Sequence, residues 1–371
     1  MHMSERRKIR VGIVFGGQSA EHEISILSAR NVLKALDRSR FEPVLIGIEK
    51  AGRWLVQSEQ KLLSGSSDPR KVRIDSAPPV QLASPFTGLA PEATGSVGGL
   101  DVIFPVLHGT LGEDGSIQGL FEVAGIAYVG AGVLGSAIGM DKDVMKRLLR
   151  DAGIPIADFR CIRQDRFDAQ PAELIGELAA LGLPLFIKPA NAGSSVGIRR
   201  VTTAAALEDA IRYAFRFDSK VLAEAAIAGR EIEIAVLGGN PPSVSVPGEI
   251  NVEQADGFYS YEAKYIDEHG ARLEMPARMD SEQCMRAQSL ALRAFEVLEC
   301  EGMARVDLFL QADGLLLVNE INTIPGFTAI SMYPKLWTLS GVSLSELVTR
   351  LIDLAMKRAQ RRAEMRRSFV T

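Results

Sequence analysis

Residues 302–326 read GMARVDLFLQADGLLLVNEINTIPG, two strand-like runs flanking Asp313-Gly314, a strong two-residue hairpin turn. With those two residues as the loop, every pair adds to the same total as 313 and 314, so Asp307 faces Glu320 and Arg305 faces Asn322. The period of two puts all four on one face and Val306, Leu308, Leu310, Leu317 and Ile321 on the other. Carboxylates directly opposite, with Cβ atoms about 5 Å apart, repel unless positive charge lies between them. Asp307, Glu320 and Asn322 supply oxygen ligands, a set that suits Mg²⁺ held jointly with phosphates. The competing reading makes Arg305 the compensating charge of a surface ion-pair patch. The apolar opposite face, which anchors the hairpin on a core, favours the metal.

Upstream, Phe186-Ile187-Lys188-Pro189 is strand-like and runs into ANAGSSVG, residues 190–197. Gly193 and Gly197 bracket Ser194, Ser195 and Val196, giving backbone N–H groups that can surround phosphate oxygens. No Gly-Lys-Ser/Thr closes the stretch, so it is not a P-loop. Standing alone it reads as a connection between strands; Lys188 before it and the acidic hairpin after it favour phosphate. Lys142 in MDKDVMK is a second candidate phosphate cation, against the plainer reading of an exposed helix lysine. The first loop, GGQSAEHE, lacks G-x-G-x-x-G, which argues against a nicotinamide oxidoreductase.

Nearer the start, Ile9 to Phe15 predicts a buried strand, Ser19 a helix cap, and Ile26, Ala29, Val32, Leu33 and Leu36 a helix. Phe41 to Ile48 predicts a second strand, and this order marks a parallel α/β unit. Residues 52–99 read as an irregular excursion, after which Asp101 to Leu107 returns to a strand and a helix starts near Ile117. Late helices are expected over 281–298, with Cys284, Ala287, Ala291, Phe295 and Leu298 on one apolar face, and over 343–358. The basic cluster Lys357, Arg358, Arg361, Arg362, Arg366 and Arg367 reads as a solvated terminal helix.

With 371 residues, 47% apolar and 24% charged, the chain has material for two or three domains and needs no staple. A net charge of -4 argues against a nucleic-acid or anionic-membrane partner. Cys161, Cys284 and Cys300 are odd in number and scattered, as free thiols in a reducing compartment would be. No uncharged apolar run of ~18 residues exists, so no membrane span is expected, and the expected setting is the cytoplasm.

Taken in order, GGQSAEHEIS, LHGTLGEDGSIQG, MDK, IKPANAGSSVG, FYSYEAKY, ARVDLFL and NEINTIPGFTAISMYP resemble the ATP-grasp family of ligases over nearly the full chain. The resemblance implies an α/β fold of three domains: an N-terminal Rossmann-like parallel sheet over 1–139, a central domain over 140–227 and a C-terminal one over 228–371, with nucleotide between the last two. Lys142, Lys188 and residues 191–197 match phosphate-binding elements; Glu224, Ala225, Ala226 and Ile227 match the strand end that reads adenine; Glu231 matches the ribose-binding carboxylate. Asn319 and Glu320 belong to the nucleotide site, and Asp307, Glu320 and Asn322 match the ligands of two Mg²⁺ or Mn²⁺ ions.

The same resemblance implies that two D-alanines are joined with ATP through an acyl phosphate, for peptidoglycan precursors, by a homodimer. Glu21 matches the acceptor of the first substrate's ammonium, while Ser194 and Tyr265 match residues that bond with it and close a loop carrying Lys264. Arg305 and the Gly326 N–H match oxyanion stabilisers, Ser331 and Met332 the second substrate's carboxylate site, and His108 a substrate-proximal histidine. A D-alanine–D-lactate ligase and a non-catalytic ATP-binding regulator remain the alternatives.

Overall fold

The computed structural model describes residues 7–77, 99–252 and 271–366. Three sheets account for the strands. In the first, the apolar run expected at the start forms β1 (Ile9–Gly16), parallel to β2 (Phe41–Ile48) and to β4 (Val102–Pro105). β5 (Ala127–Tyr128) continues the parallel set and β3 (Trp54–Val56) closes the other edge antiparallel, giving the order β3-β2-β1-β4-β5. Central parallel strands are covered on both faces, which is why Val11, Ile13, Val14 and Phe15 form a continuous buried run without alternation. The helix His22–Ala35 packs Ile26, Ala29, Val32 and Leu33 against Val11, Ile13 and Phe15. Ser19 does not cap it. Its hydroxyl donates to His108 O at 2.6 Å, and Glu21 takes the cap position.

The second sheet is antiparallel, in the order β6-β9-β7-β8: β6 (Phe159–Arg163), β9 (Lys220–Ala225), β7 (Leu185–Pro189) and β8 (Arg199–Val201). The helices Pro171–Ala179 and Leu207–Ala214 bury Leu174, Leu178, Leu207 and Ile211 on one of its faces. The third sheet runs β13-β12-β10-β14-β15, with β11 (Ser243–Val244) also on β10. Its strands are β10 (Arg230–Leu237), β12 (Gly248–Val252), β13 (Ala271–Glu274), β14 (Met303–Leu310) and β15 (Leu316–Asn322). The helix Ser281–Val297, stopped at its start by an Asp280–Gln283 capping box, covers one face. On the opposite face Ala235, Leu237 and Met303 pack with Met332, Tyr333 and Leu336 in the core of the first sheet, and the remainder is left for the site.

The β14–β15 hairpin reaches the expected pairing by a different route. Asp307 does face Glu320 and Arg305 faces Asn322. Nearer the turn, however, Leu310 pairs with Leu316 and Leu308 with Val318, a register one residue tighter. The loop is therefore longer than Asp313-Gly314, with Gly314 in the left-handed region at φ +85°. Asn319 is the extra residue that restores the register between the two halves, a β-bulge. The bulge also changes the core: Leu316 and Val318 join Val306, Leu308, Leu310 and Ile321 behind the sheet. Leu317, expected among them, instead pairs with Phe309 on the other face.

The last helix, Leu344–Glu364, is less solvated than its basic composition predicts. Leu347, Val348, Leu351 and Ile352 pack into the core of the first sheet. Arg358 is buried: its guanidinium donates to Tyr128 O (2.6 Å) and Gly130 O (2.7 Å), pairs with Glu301 at 3.1 Å and lies over the Tyr128 ring. Arg362 pairs with Glu122. A helix with one apolar stripe brings adjacent cations to its edge, and there they satisfy carbonyls the sheet leaves open. Replacing Arg358 by Met should cost about 2–4 kcal/mol, because buried acceptors lose their donor. A urea unfolding midpoint equal to that of the unaltered chain would reject the role.

Candidate active site

A cleft of about 190 Å³, partly open to solvent, lies between the second and third sheets. β10, β14 and β15 build its floor. Because β10 pairs with β14 and β14 with β15, three carboxylates stand side by side across the strands: Glu233 opposite Asp307, and Asp307 opposite Glu320. Glu233 had no place among the expected residues. The signal was present in REIEIAVL, where the period of two sets Glu233 on the face of Glu231, and both line the cleft.

Neighbouring like charges across strands repel, and two cations compensate them. Arg305 is forked onto Asp307, with Nε and Nη2 each 2.7 Å from a carboxylate oxygen, and its Nε lies 3.1 Å from Glu233. Lys142 Nζ lies 3.5 Å from Glu320 and donates to Ala192 O at 2.9 Å. Asn322 donates its side-chain N–H to Asp307 at 3.0 Å, which leaves its amide oxygen as a further acceptor. Among the described residues no three acidic, histidine or cysteine side chains converge on one point. The row is an open line of oxygen donors, and such a set fits a cation that completes its coordination with phosphate oxygens.

Opposite the row, residues 191–197 approach from the second sheet. Ser194 and Ser195 both hold positive φ, +47° and +60°, a backbone that costs non-glycine residues roughly 1–2 kcal/mol each. Gly193 lies close to the Glu21 carboxylate: a Cβ there would sit 2.8 Å from Glu21 Oε2, so a larger residue would push that side chain aside. Ser194 donates its hydroxyl to the other oxygen of Glu21, tying the first unit to this loop. Gly193, Ser194 and Ser195 line the cleft, whereas Val196 does not. Lys142 starts its helix beside them, with Asp141 capping and the Lys142 N–H donating to Ala190 O.

Lys188 also lines the cleft, yet its ammonium donates to Glu224 at 2.8 Å. Glu224 is buried, and its second oxygen lies 2.9 Å from Lys146, which is fully buried. Burial raises the Glu224 carboxyl, but the two ammonium groups outweigh it and hold the group below the usual carboxylate range. Burial, reinforced by Lys188, lowers Lys146. Lys146 was not anticipated, although Lys142 and Lys146 lie one turn apart on the same helix. Ala225 and Ile227 line the cleft, but the N–H groups of Ala225 and Ala226 are donated to Asp158 O and Pro184 O. Phe186 and Phe309 add apolar walls.

The remaining expected residues lie outside this lining. Gly326 sits so close to Ser331 that a Cβ would come within 2.8 Å of its hydroxyl. Ser331 precedes the helix Met332–Leu339, and the Met332 side chain is buried in the core beside Gly248, which leaves only its backbone for a ligand. His108 is buried with both ring nitrogens engaged, Nδ1 at 2.9 Å from Ile324 O and Nε2 at 3.1 Å from Ser28 Oγ, so in this arrangement it offers no nitrogen to a substrate. Lys264 and Tyr265 lie outside the described residues.

Family models for the D-ala D-ala ligase N-terminus and C-terminus match residues 10–131 and 148–353. The chain belongs to the D-alanine–D-alanine ligase family. It is 50% identical to D-alanine–D-alanine ligase A of Chromobacterium violaceum over 97% of this chain and 99% of that protein. Identity to the Escherichia coli ligase A is 49%, over 95% of this chain and 96% of that one. The solved D-alanine–D-alanine ligase of Coxiella burnetii superposes with a TM-score of 0.82 at 36% identity, covering 96% of both chains. A D-Ala:D-Ser ligase from Enterococcus faecalis superposes at 0.80 and 34%, covering 94% of this chain and all of that one. The family accounts for the α/β ATP-grasp fold expected from the motifs, with a first sheet that is parallel except for its edge strand β3.

The Lys146–Glu224–Lys188 trio allows a comparison of two variants. Glu224→Gln leaves two buried ammonium groups facing each other and should cost about 3–5 kcal/mol. Lys146→Met leaves a neutral pair and should cost less than half as much. Denaturant unfolding of both tests this, and equal losses would reject the account.

Proposed function

We propose that this chain uses ATP to join two molecules of D-alanine for peptidoglycan precursors, through a D-alanyl phosphate. The observation that carries the reading is the Glu21–Ser194 contact, which links a buried carboxylate of the first unit to the strained loop beside the carboxylate row. An ammonium acceptor and a phosphate cradle are thereby neighbours. An α-amino acid needs both when its own carboxylate is to be phosphorylated.

A carboxylate resists amine attack because its leaving group would be an oxide. The first D-alanine carboxylate therefore attacks the γ-phosphorus and releases ADP, and the second D-alanine's amine attacks the acyl carbon and expels phosphate, losing its proton. Lys142 and Lys188 supply charge to the transferring phosphoryl group, and the loop 191–197 holds the phosphates through backbone N–H groups. Asp307, Glu320 and Asn322 are the residues that would hold two Mg²⁺ or Mn²⁺ ions. Bound there, the cation neutralises phosphate charge. Arg305 and the Gly326 N–H stabilise the tetrahedral oxyanion, a contribution of roughly 3 kcal/mol per donor in comparable sites. Glu231 takes the ribose hydroxyls and Asn319 and Glu224–Ile227 frame the nucleotide. Ser331 and the start of its helix take the second carboxylate, and Tyr265 and Lys264 shut the site against water.

The same reading divides the chain at 1–139, 140–227 and 228–371, with the final helix returning to the first sheet, and has it act as a cytoplasmic homodimer. No helix among the described residues is long and apolar enough to cross a membrane.

The test incubates the chain with ATP, Mg²⁺ and D-alanine, and measures ADP together with the dipeptide by mass. One ADP per D-alanyl-D-alanine, with little ADP released when D-alanine is omitted, is the expected result. ADP release indifferent to the amino acid sinks the acyl-phosphate reading, and a preference for D-lactate or D-serine in the second position moves the chain to a neighbouring specificity. Asp307→Asn should lower turnover at least about 100-fold at saturating ATP, the scale of losing transition-state charge stabilisation.

A further inference from the structure

The segment between β15 and the helix Met332–Leu339 has no strand partner, yet side chains of the first unit hold its backbone on both sides of Gly326. The Ile324 N–H donates to Glu113 Oε1 at 2.9 Å, and His108 Nδ1 lies 2.9 Å from Ile324 O. The Phe327 N–H donates to Ser28 Oγ at 3.2 Å, and Asn31 donates to Phe327 O at 2.8 Å. Ser28 Oγ is in turn 3.1 Å from His108 Nε2, and Glu113 Oε2 accepts from the Gly109 N–H at 2.8 Å.

These contacts have one consistent direction. A carbonyl only accepts, so the proton of His108 sits on Nδ1. Burial, the largest influence, lowers the imidazole pKa and keeps it neutral, which makes Nε2 an acceptor. Ser28 must then donate its hydroxyl to Nε2 while a lone pair receives the Phe327 N–H. The chain runs from Phe327 through Ser28 and His108 to Ile324, and from Ile324 on to Glu113. Glu113 is buried and lies near Glu21; burial first, then that neighbour, push its carboxyl up to about 8.

We propose that Ser28, His108 and Glu113 are positioning residues for the bond-forming step, a hydrogen-bond relay that grips residues 324 and 327 and so aims the Gly326 N–H between them. This rests on the reading of that N–H as an oxyanion donor. The direction of a peptide N–H follows from the dihedral angles on either side of it, and clamps two residues before and one residue after leave those angles little freedom. His108 acts here through the backbone it holds.

Two measurements decide it, both on the full chain. Imidazole ¹⁵N NMR reads the tautomer directly: the sequence has four histidines, and the signal lost in His108→Asn assigns the right one. The expected spectrum shows a neutral Nδ1–H ring that stays unprotonated at pH values where an ordinary histidine is already charged, with Nε2 shifted in Ser28→Ala. An Nε2–H tautomer, or a ring that titrates at its ordinary value, overturns the relay whatever the chain ligates. Kinetics supply the second arm. Ser28→Ala and Glu113→Gln should each lower kcat about 10- to 100-fold, the scale of a misplaced group. KM for ATP should stay within about twofold, because the nucleotide site is untouched. ADP should then exceed dipeptide, since acyl phosphate still forms and is hydrolysed while it waits. ADP and dipeptide falling together at one to one mark a merely structural lesion and overturn the proposal. If the unaltered chain makes no dipeptide, the ligase reading fails by itself, and the tautomer still judges the relay.

Discussion

Charge compensation across β10, β14 and β15 is the constraint on which the site depends. Glu233, Asp307 and Glu320 occupy neighbouring register positions on one face of a sheet whose other face is apolar. Such a row is unfavourable by itself, and among the described residues Arg305 and Lys142 lie against it and offset its charge. The two cations come from different places. Arg305 sits in the row's own strand, whereas Lys142 starts the helix that leads to the second sheet. Closing the row's charge therefore also sets the second and third sheets against each other around the cleft.

The same economy recurs on the other wall. Glu224 pairs with Lys188 and Lys146 at once, so one buried acid faces two bases. The Lys188 ammonium is thus held at a fixed place beside the cleft rather than left to swing on a free stem. Buried ion pairs seldom add much stability over an apolar replacement, and their value here lies in geometry. Ser194 and Ser195 carry a comparable cost in backbone strain, offset by the contact to Glu21.

The hairpin shows how a correct pairing can rest on an incomplete argument. Alternation and a turn signal were enough to bring Asp307 opposite Glu320, and that pairing stands. The loop was one residue longer than Asp313-Gly314 allows, and the extra residue returned as a bulge at Asn319. The two shifts cancel at the site and not in the core, where Leu317 gives way to Leu316 and Val318. Glu233 was equally legible through its spacing from Glu231, but nothing local says that β10, and not another strand, lies beside β14. His108 and Arg358 follow the same pattern. A histidine after a strand and an arginine in a basic helix look solvent-facing until the segments that cover them are known.

Sequence alone determined the first parallel strands and the helix between them, the hairpin and the late helices over 281–298 and 343–358, the strand faces that carry Arg305 and Asp307, and the family through motifs held in order. These are matters of period, turn chemistry and residue type, all of which act over a few neighbours. Tertiary structure alone decided that Glu233 stands beside Asp307, that Lys146 backs Glu224, and that Ser28, His108 and Glu113 reach the backbone near Gly326. Each of those contacts joins residues far apart in the chain. Its partner is chosen by which strands pair and which faces pack, a choice that burial of the whole apolar surface makes and no local pattern records.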